Sequence, residues 1–200
     1  MSAAAPLAGS EPAGVLEFWF GPPELADTEA VTSRWFRKDA AFDREISDRF
    51  GALIERALAG ELTDWAWQPG PALARILLLD QFTRNAFRDS ARAFAGDPLA
   101  LAAARQMVAL GQDQQLPLLR RVFVYLPFEH AEDLAAQREA LRLFDALVAE
   151  APGLAGYADY ARRHHEIIER FGRFPHRNAL LGRESTPEEL EFLRQPGSGF

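Results

Sequence analysis

One apolar stripe sets the class of structure open to this chain. Between Asp39 and Ala59, the residues Phe42, Ile46, Phe50, Leu53, Ile54, Ala57 and Leu58 recur three and four positions apart, the spacing that lines one face of an α-helix. Gly60 follows where a left-handed residue closes such a helix. The same period returns along most of the chain. Leu134, Leu141, Phe144, Leu147 and Val148 line a predicted helix over 130–150, and Tyr157, Ala161, His164, Ile168 and Phe171 line another over 154–172. Asp97-Pro98 reads as a helix start, with Asp97 capping the orphan amides and Pro98 in the first helical position, and Gly111 ends that helix. Thr186, Pro187 and Glu189 compose a capping box at another start. Shorter helices are expected over 14–20, 71–84 and 118–126. Val122 to Tyr125 has strand propensity, but no second strand exists to pair with it, so it is read as helix.

The predicted fold is all-α: eight or nine helices in antiparallel hairpins, forming one domain over residues 13–195. Residues 1–12 and 196–200, rich in Ala, Pro, Gly and Ser, are expected to be tails. No repeat of fixed period is visible, so a regular solenoid is not expected.

Composition narrows the function classes. With 22 Lys+Arg against 29 Asp+Glu the formal charge is −7, which disfavours broad nucleic-acid binding. There is no Cys, hence no disulfide, thiolate metal site or Cys nucleophile. The N-terminus lacks the pattern of a signal peptide, and the longest apolar runs fall far short of the ~20 residues that cross a bilayer. A cytoplasmic protein with no membrane association is the expectation. Glycine-rich phosphate loops and the common hydrolase motifs are missing, so no cofactor is expected.

Five blocks read together are familiar: Leu16-Glu17-Phe18-Trp19-Phe20-Gly21; Trp35-Phe36-Arg37-Lys38-Asp39; Leu79-Asp80-Gln81-Phe82-Thr83-Arg84-Asn85; Tyr125-Leu126-Pro127-Phe128-Glu129-His130; and the run from Arg170 through Phe174-Pro175-His176-Arg177-Asn178 to Arg183 and Thr186. On these the chain resembles the uncharacterised bacterial family catalogued as domain of unknown function 924, from Val15 to Leu193. The resemblance implies an all-α array of the tetratricopeptide-like superfamily and carries no established activity. Residue roles must come from chemistry.

The cations point to one place. All but one of the 22 are Arg, Lys38 being the exception, and residues 162–183 hold six Arg against two Glu, a +4 island in a remainder of −11. After Gly172 ends its helix and Pro175 prevents a new one, a short loop presents Arg173, His176, Arg177 and Asn178, with Arg183 beyond. Guanidinium forks suit carboxylate or phosphate, and His moves protons near neutral pH. The plainer reading is that these Arg residues pair with surplus carboxylates and pin the loop.

His164 lies on the apolar stripe of its helix, where a packed His is the ordinary case. Glu129-His130 reads as a helix start or as an acid–base pair facing the island. Asp80 and Arg84, one turn apart, form an intrahelical pair next to Asn85, and the apolar run before them suggests burial. Lys38 stands beside Trp35 and Phe36 and is a candidate cation–π group. His165 and Glu169 have metal-ligand spacing without a third local ligand, so no metal site is expected.

Two main readings follow, and a third, RNA or nucleotide binding, rests on the +4 island alone and is weaker. The first is a binding module in which Arg173, Arg177, Asn178, Arg183, Asp80, Arg84, Asn85 and Lys38 hold a small anionic ligand or an acidic peptide. The second is an enzyme on a small anionic substrate, with His176, His164, Glu129 and His130 as acid–base groups. In both, the loop 173–178 packs near 80–85 and 129–130 in one polar pocket. Aromatic and Ala-rich faces would allow a homodimer.

Overall fold

A computed structural model describes residues 10–22 and 28–199. Among the described residues every regular element is helical. In chain order these are α1 (Ser10–Phe20), α2 (Glu29–Thr32), α3 (Ala40–Leu58), α4 (Pro69–Leu77), a π turn (Leu78–Phe82), α5 (Thr83–Ala86), α6 (Asp97–Ala109), α7 (Leu118–Glu129), α8 (Leu134–Glu150), α9 (Ala155–Phe171) and α10 (Pro187–Leu193), with short 3-10 turns between several of them. The π turn joins α4 to α5 without a break, so the described residues make nine rods. Among them no helix is long and apolar enough to cross a membrane.

Local signals in the sequence set most boundaries. The Asp39 carboxylate accepts from the amides of Ala41 and Phe42 at 2.9 and 3.2 Å and starts α3. Phe42, Ile46, Phe50, Ile54 and Ala57 are its buried face, and Gly60 follows at φ +77°. Gly172, at φ +69°, ends α9. Helix α1 begins at Ser10, inside the expected N-terminal tail. The expected C-terminal tail turns back at 196–199, with Ser198 donating to the Leu193 carbonyl.

Two starts differ from expectation. Gly96 is the cap of α6 and Asp97 is its first residue, with no side-chain cap, because the Asp97 carboxylate is taken by two arginines described below. Helix α8 begins at Leu134, capped by Asp133, whose carboxylate accepts from Ala136 at 2.7 Å. Glu129-His130 is therefore no helix start but the end of α7, with His130 its C-cap. The apolar face of 118–128 is continuous enough to carry α7 through Pro127, three residues before the cap.

Helix α7 is the central rod. Val122 to Glu129 are all buried, and it packs against α4, α6, α8 and α9. Consecutive helices α7, α8 and α9 lie side by side with short links, as antiparallel hairpins must. On the other side an aromatic cluster from α1, α3, the π turn and α7 fills the core. Phe82 lies 5.1 Å from Phe50 and 5.4 Å from Trp19, and Phe123 lies 4.7 Å from Trp35, ring centroid to centroid. Each such fully buried ring contributes about 1.5–3 kcal/mol of transfer free energy. A smaller cluster of Ile167, Ile168 and Phe174, with Leu134, Phe171 and Phe192 against it, ties α9 to the loop after it and to α10.

One close approach positions the rest. A Cβ on Gly96 would fall on the Leu79 carbonyl, 2.8 Å from its carbon and 3.0 Å from Leu79 Cα. Only glycine lets the start of α6 sit against the backbone of the π turn. Gly96→Ala is expected to destabilise the protein by about 1–3 kcal/mol through overpacking against backbone. Gly51→Ala, in the middle of α3 with open space around it, is expected to stabilise by about 0.5–1 kcal/mol. Urea denaturation of both variants checks the pair, and equal effects of the two substitutions would contradict this seating.

Helix α10 is held by its capping box: Thr186 Oγ1 accepts from the Glu189 amide at 3.2 Å, and Glu189 Oε2 accepts from the Thr186 amide at 2.7 Å. Arg173 also forks onto Glu189 at 2.7 and 2.8 Å. Arg173 and the capping hydrogen bonds hold the Glu189 carboxyl down at about 2. A carboxylate lowered from an unfolded value near 4.5 adds stability that is complete above that pH and vanishes as pH falls toward about 2. Glu189→Gln is expected to cost about 1–3 kcal/mol at pH 7. Denaturant midpoints from pH 7 down to pH 2 should show the gap from wild type shrinking below pH 4.5.

Candidate functional site

A carboxylate is buried in the middle of the rod that runs from α4 through the π turn to α5. Asp80 lies in the π turn with no solvent exposure. Arg84, four residues on, meets it: Arg84 Nη1 is 3.2 Å from Asp80 Oδ1 and donates to the Asp80 carbonyl at 2.7 Å. Gln81 Nε2 donates to Asp80 Oδ2. From the end of α7, His130 Nδ1 lies 2.7 Å from Asp80 Oδ1. Burial alone would raise the Asp80 carboxyl, but Arg84 and His130 outweigh it and hold it well below the usual carboxylate range. An ionised Asp80 makes Nδ1 the protonated nitrogen of His130 and leaves the ring lone pair on Nε2. Burial, reinforced by Arg84, pushes His130 below its ordinary value, so its resting form is neutral.

Arginines from two distant segments meet next to this dyad. Asp97, at the start of α6, accepts from Arg84 at 2.8 and 3.1 Å and from Arg177 Nη1 at 3.0 Å. Arg177 Nη2 donates to the His130 carbonyl at 3.1 Å. The Arg177 guanidinium lies over the rings of Phe94 and Phe174, 4.6 and 4.4 Å from their centroids. Burial and the neighbouring Arg84 charge lower Arg177 to about 10. Its Nε is buried without a hydrogen-bond partner.

A second carboxylate–imidazole pair lies one residue further back along α7. Glu129, 2% exposed, points Oε1 at His164 Nδ1 of α9, 2.8 Å away. His164 Nδ1 also donates to the Tyr160 carbonyl at 2.9 Å. The His130 and His164 rings are 6.0 Å apart, and His164 lies edge-on to Phe174 at 5.4 Å. Glu129 Oε2 is buried and has no hydrogen-bond partner. The backbone carbonyl of Glu129 accepts from Gln137.

The three segments expected to converge are thus brought together: the π turn, the end of α7 and the loop after α9. They meet as a hydrogen-bonded network that reaches solvent at Arg84, Asp97 and His130, whose side chains are 20%, 16% and 14% exposed. A groove of about 350 Å³ elsewhere, lined by Arg105, Val108, Phe128, Ala135 and Glu139, includes none of these residues.

The remaining expected site residues have contacts of their own. Arg183 forks onto Glu132 at 2.6 and 2.9 Å and donates to the Phe174 carbonyl. The Phe174 amide donates to Glu132 at 2.7 Å, so one glutamate anchors both ends of the loop. Asn178 bonds Ser185, Glu189 and Arg183. Arg173 is taken by Glu189. His176 packs 5.6 Å from Phe174, and burial with the Arg177 charge holds it at about 4. Asn85 faces away from the junction, donating to Asp43 beside Arg88. Lys38 is 72% exposed and 3.8 Å from Asp89.

Reading by spacing missed Asp97, Glu132 and Glu189 as partners. Asp97 carried the signal of a helix cap, and nothing local tells a capping carboxylate from one aimed across the fold. The Glu129–His164 pairing spans 35 positions and has no local signature.

The comparisons with known proteins place the chain. No curated protein matches it. A solved structure of a protein of unknown function from Agrobacterium tumefaciens is similar over 94% of this chain and 98% of that one, at 43% identity and a TM-score of 0.82. Residues 15–197 match the model of a family described as bacterial protein of unknown function, DUF924. The chain belongs to the DUF924 family, whose members it matches over nearly its whole length.

Proposed function

We propose that the protein is a cytoplasmic helical-hairpin binding module, built in the tetratricopeptide-like manner, that takes a small anionic ligand at the junction of Arg84, His130 and Arg177. The observation that carries this reading is Arg177. Its buried guanidinium shares a single carboxylate, Asp97, with Arg84, and its Nε has no acceptor. Two guanidiniums on one carboxylate leave donor capacity that planar oxygen pairs of a carboxylate or phosphoryl group can fill. The small exposed edge of the network favours a small ligand over an acidic peptide, which needs a groove along which to lie. The other island arginines support the plainer role: Arg162, Arg170, Arg173 and Arg183 are each matched by carboxylates of their own.

A second reading, an enzyme on the same ligand, is favoured by the Asp80–His130 dyad. A carboxylate on Nδ1 and a lone pair on Nε2 is the arrangement of an oriented general base.

A thermal-shift panel of phosphate, sugar phosphates, small mono- and dicarboxylates and an acidic peptide tests the first reading. At a hundred times its Kd a ligand adds about 2.7 kcal/mol to stability. We expect at least one small anion to stabilise the wild type, and Arg177→Lys, which keeps the charge and loses the fork, to weaken that response at least tenfold while circular dichroism stays native. Equal responses from both proteins would refute the assignment. Mass spectrometry of the ligand that binds best, after incubation with wild type and His130→Gln, separates the two readings: conversion lost in the variant makes the protein an enzyme, and an unchanged ligand leaves it a binder.

A further inference from the structure

We propose that Glu129, His130 and His164 form a binding site for one divalent first-row transition ion of the zinc type. Each residue places one ligand atom within 4.8 Å of the others. Ion–ligand bonds of about 2.0–2.2 Å would draw these atoms in by about an ångström. Two imidazoles and one carboxylate, in a chain without Cys, suit Zn²⁺, Fe²⁺, Co²⁺ or Ni²⁺ and not the all-oxygen shells of Ca²⁺ or Mg²⁺.

Three independent observations point to a cation and not to a plain packed pair. The first is the unmet acceptor: Glu129 Oε2 is buried within the cluster and has no hydrogen-bond partner. A buried carboxylate oxygen without a donor is costly unless a cation satisfies it.

The second is the orientation of the two histidines. His130 Nδ1 has Asp80 as its partner at 2.7 Å, and His164 Nδ1 lies between the Tyr160 carbonyl at 2.9 Å and Glu129 Oε1 at 2.8 Å. Metal-bound histidines almost always donate their other ring N–H to a carboxylate or a backbone carbonyl, which sets the tautomer and aims the lone pair at the ion. Here His130 has a carboxylate outside the cluster as that acceptor, and His164 has the Tyr160 carbonyl, with Glu129 at the same nitrogen.

The third is charge. The buried network holds three carboxylates, Asp80, Asp97 and Glu129, against two guanidiniums, Arg84 and Arg177. Glu129 is the carboxylate whose close partner is a histidine instead of an arginine. A divalent ion turns the formal −1 of this network into +1. Three protein ligands leave a coordination position open, as in catalytic and not structural sites. His130 reaches solvent at the same edge of the network as Arg84. The site stands without the anion-binding reading and does not depend on it.

Chelator-stripped protein, in buffer free of phosphate and carboxylate, is titrated with Zn²⁺ by calorimetry and with Co²⁺ by visible absorption. We expect one ion per chain, a Co²⁺ spectrum with nitrogen-ligand bands, and at least tenfold weaker binding in Glu129→Gln and His164→Gln. Because either variant could fail to fold, the wild type labelled with ¹⁵N-histidine supplies a second measurement. Zn²⁺ should move the ring nitrogens of His130 and His164 and leave His165 in place. Absence of stoichiometric binding, undiminished binding in a folded Glu129→Gln, or shifts confined to His165 would each overturn the proposal. No anion is present, so this outcome is read separately from the ligand panel.

Discussion

Asp80 is a charge held with no exposure to water, and the arrangement around it follows from what such a charge requires. A buried carboxylate is tolerated only when cations and donors surround it. Arg84 comes from the same helix, Gln81 from the next position and His130 from the end of α7. Arg84 then needs a second carboxylate, which Asp97 provides from α6, and Asp97 in turn recruits Arg177 from a loop eighty positions away. Each partner creates the demand for the next. The chain of compensation links the π turn, α6, α7 and the loop after α9, and it closes only because Gly96 lets α6 begin against the Leu79 backbone.

The apparent basic island dissolves on this account. The six arginines of residues 162–183 look like a surface charge in sequence, yet five are matched by carboxylates from other elements, and Arg163 lies over the ring of Tyr160. Within the buried network, Glu129 is the carboxylate whose close partner is a histidine and not an arginine.

What could be read beforehand follows the range of the interactions involved. Helix α3, the capping box at Thr186 and the glycine stops at Gly60 and Gly172 rest on contacts within a few residues, and the local pattern specifies them. The Asp80–Arg84 pair and the burial of its helix were legible for the same reason. Glu129-His130 was misplaced because a helix start and a helix end can carry the same polar pair. Whether α7 runs through Pro127 is decided by burial against four other helices, which no local signal states. The pairings of Glu132 with Arg183, Arg177 with Asp97 and Glu129 with His164 span 51, 80 and 35 positions and exist only once the chain is folded.

The π turn has one more consequence. Each residue of an α-helix turns the chain by about 100°. A π turn holds one residue more than the α-helical turn it replaces, so the rod from α4 to α5 carries a phase slip in its middle. Loss of Gln81 would keep the apolar residues of this stretch, Leu78, Leu79 and Phe82. It would also rotate Thr83, Arg84 and all that follows by about a quarter turn relative to Asp80 and α4. The register of the polar junction, and that of Phe82 in the aromatic core, therefore depends on the one extra residue of this turn.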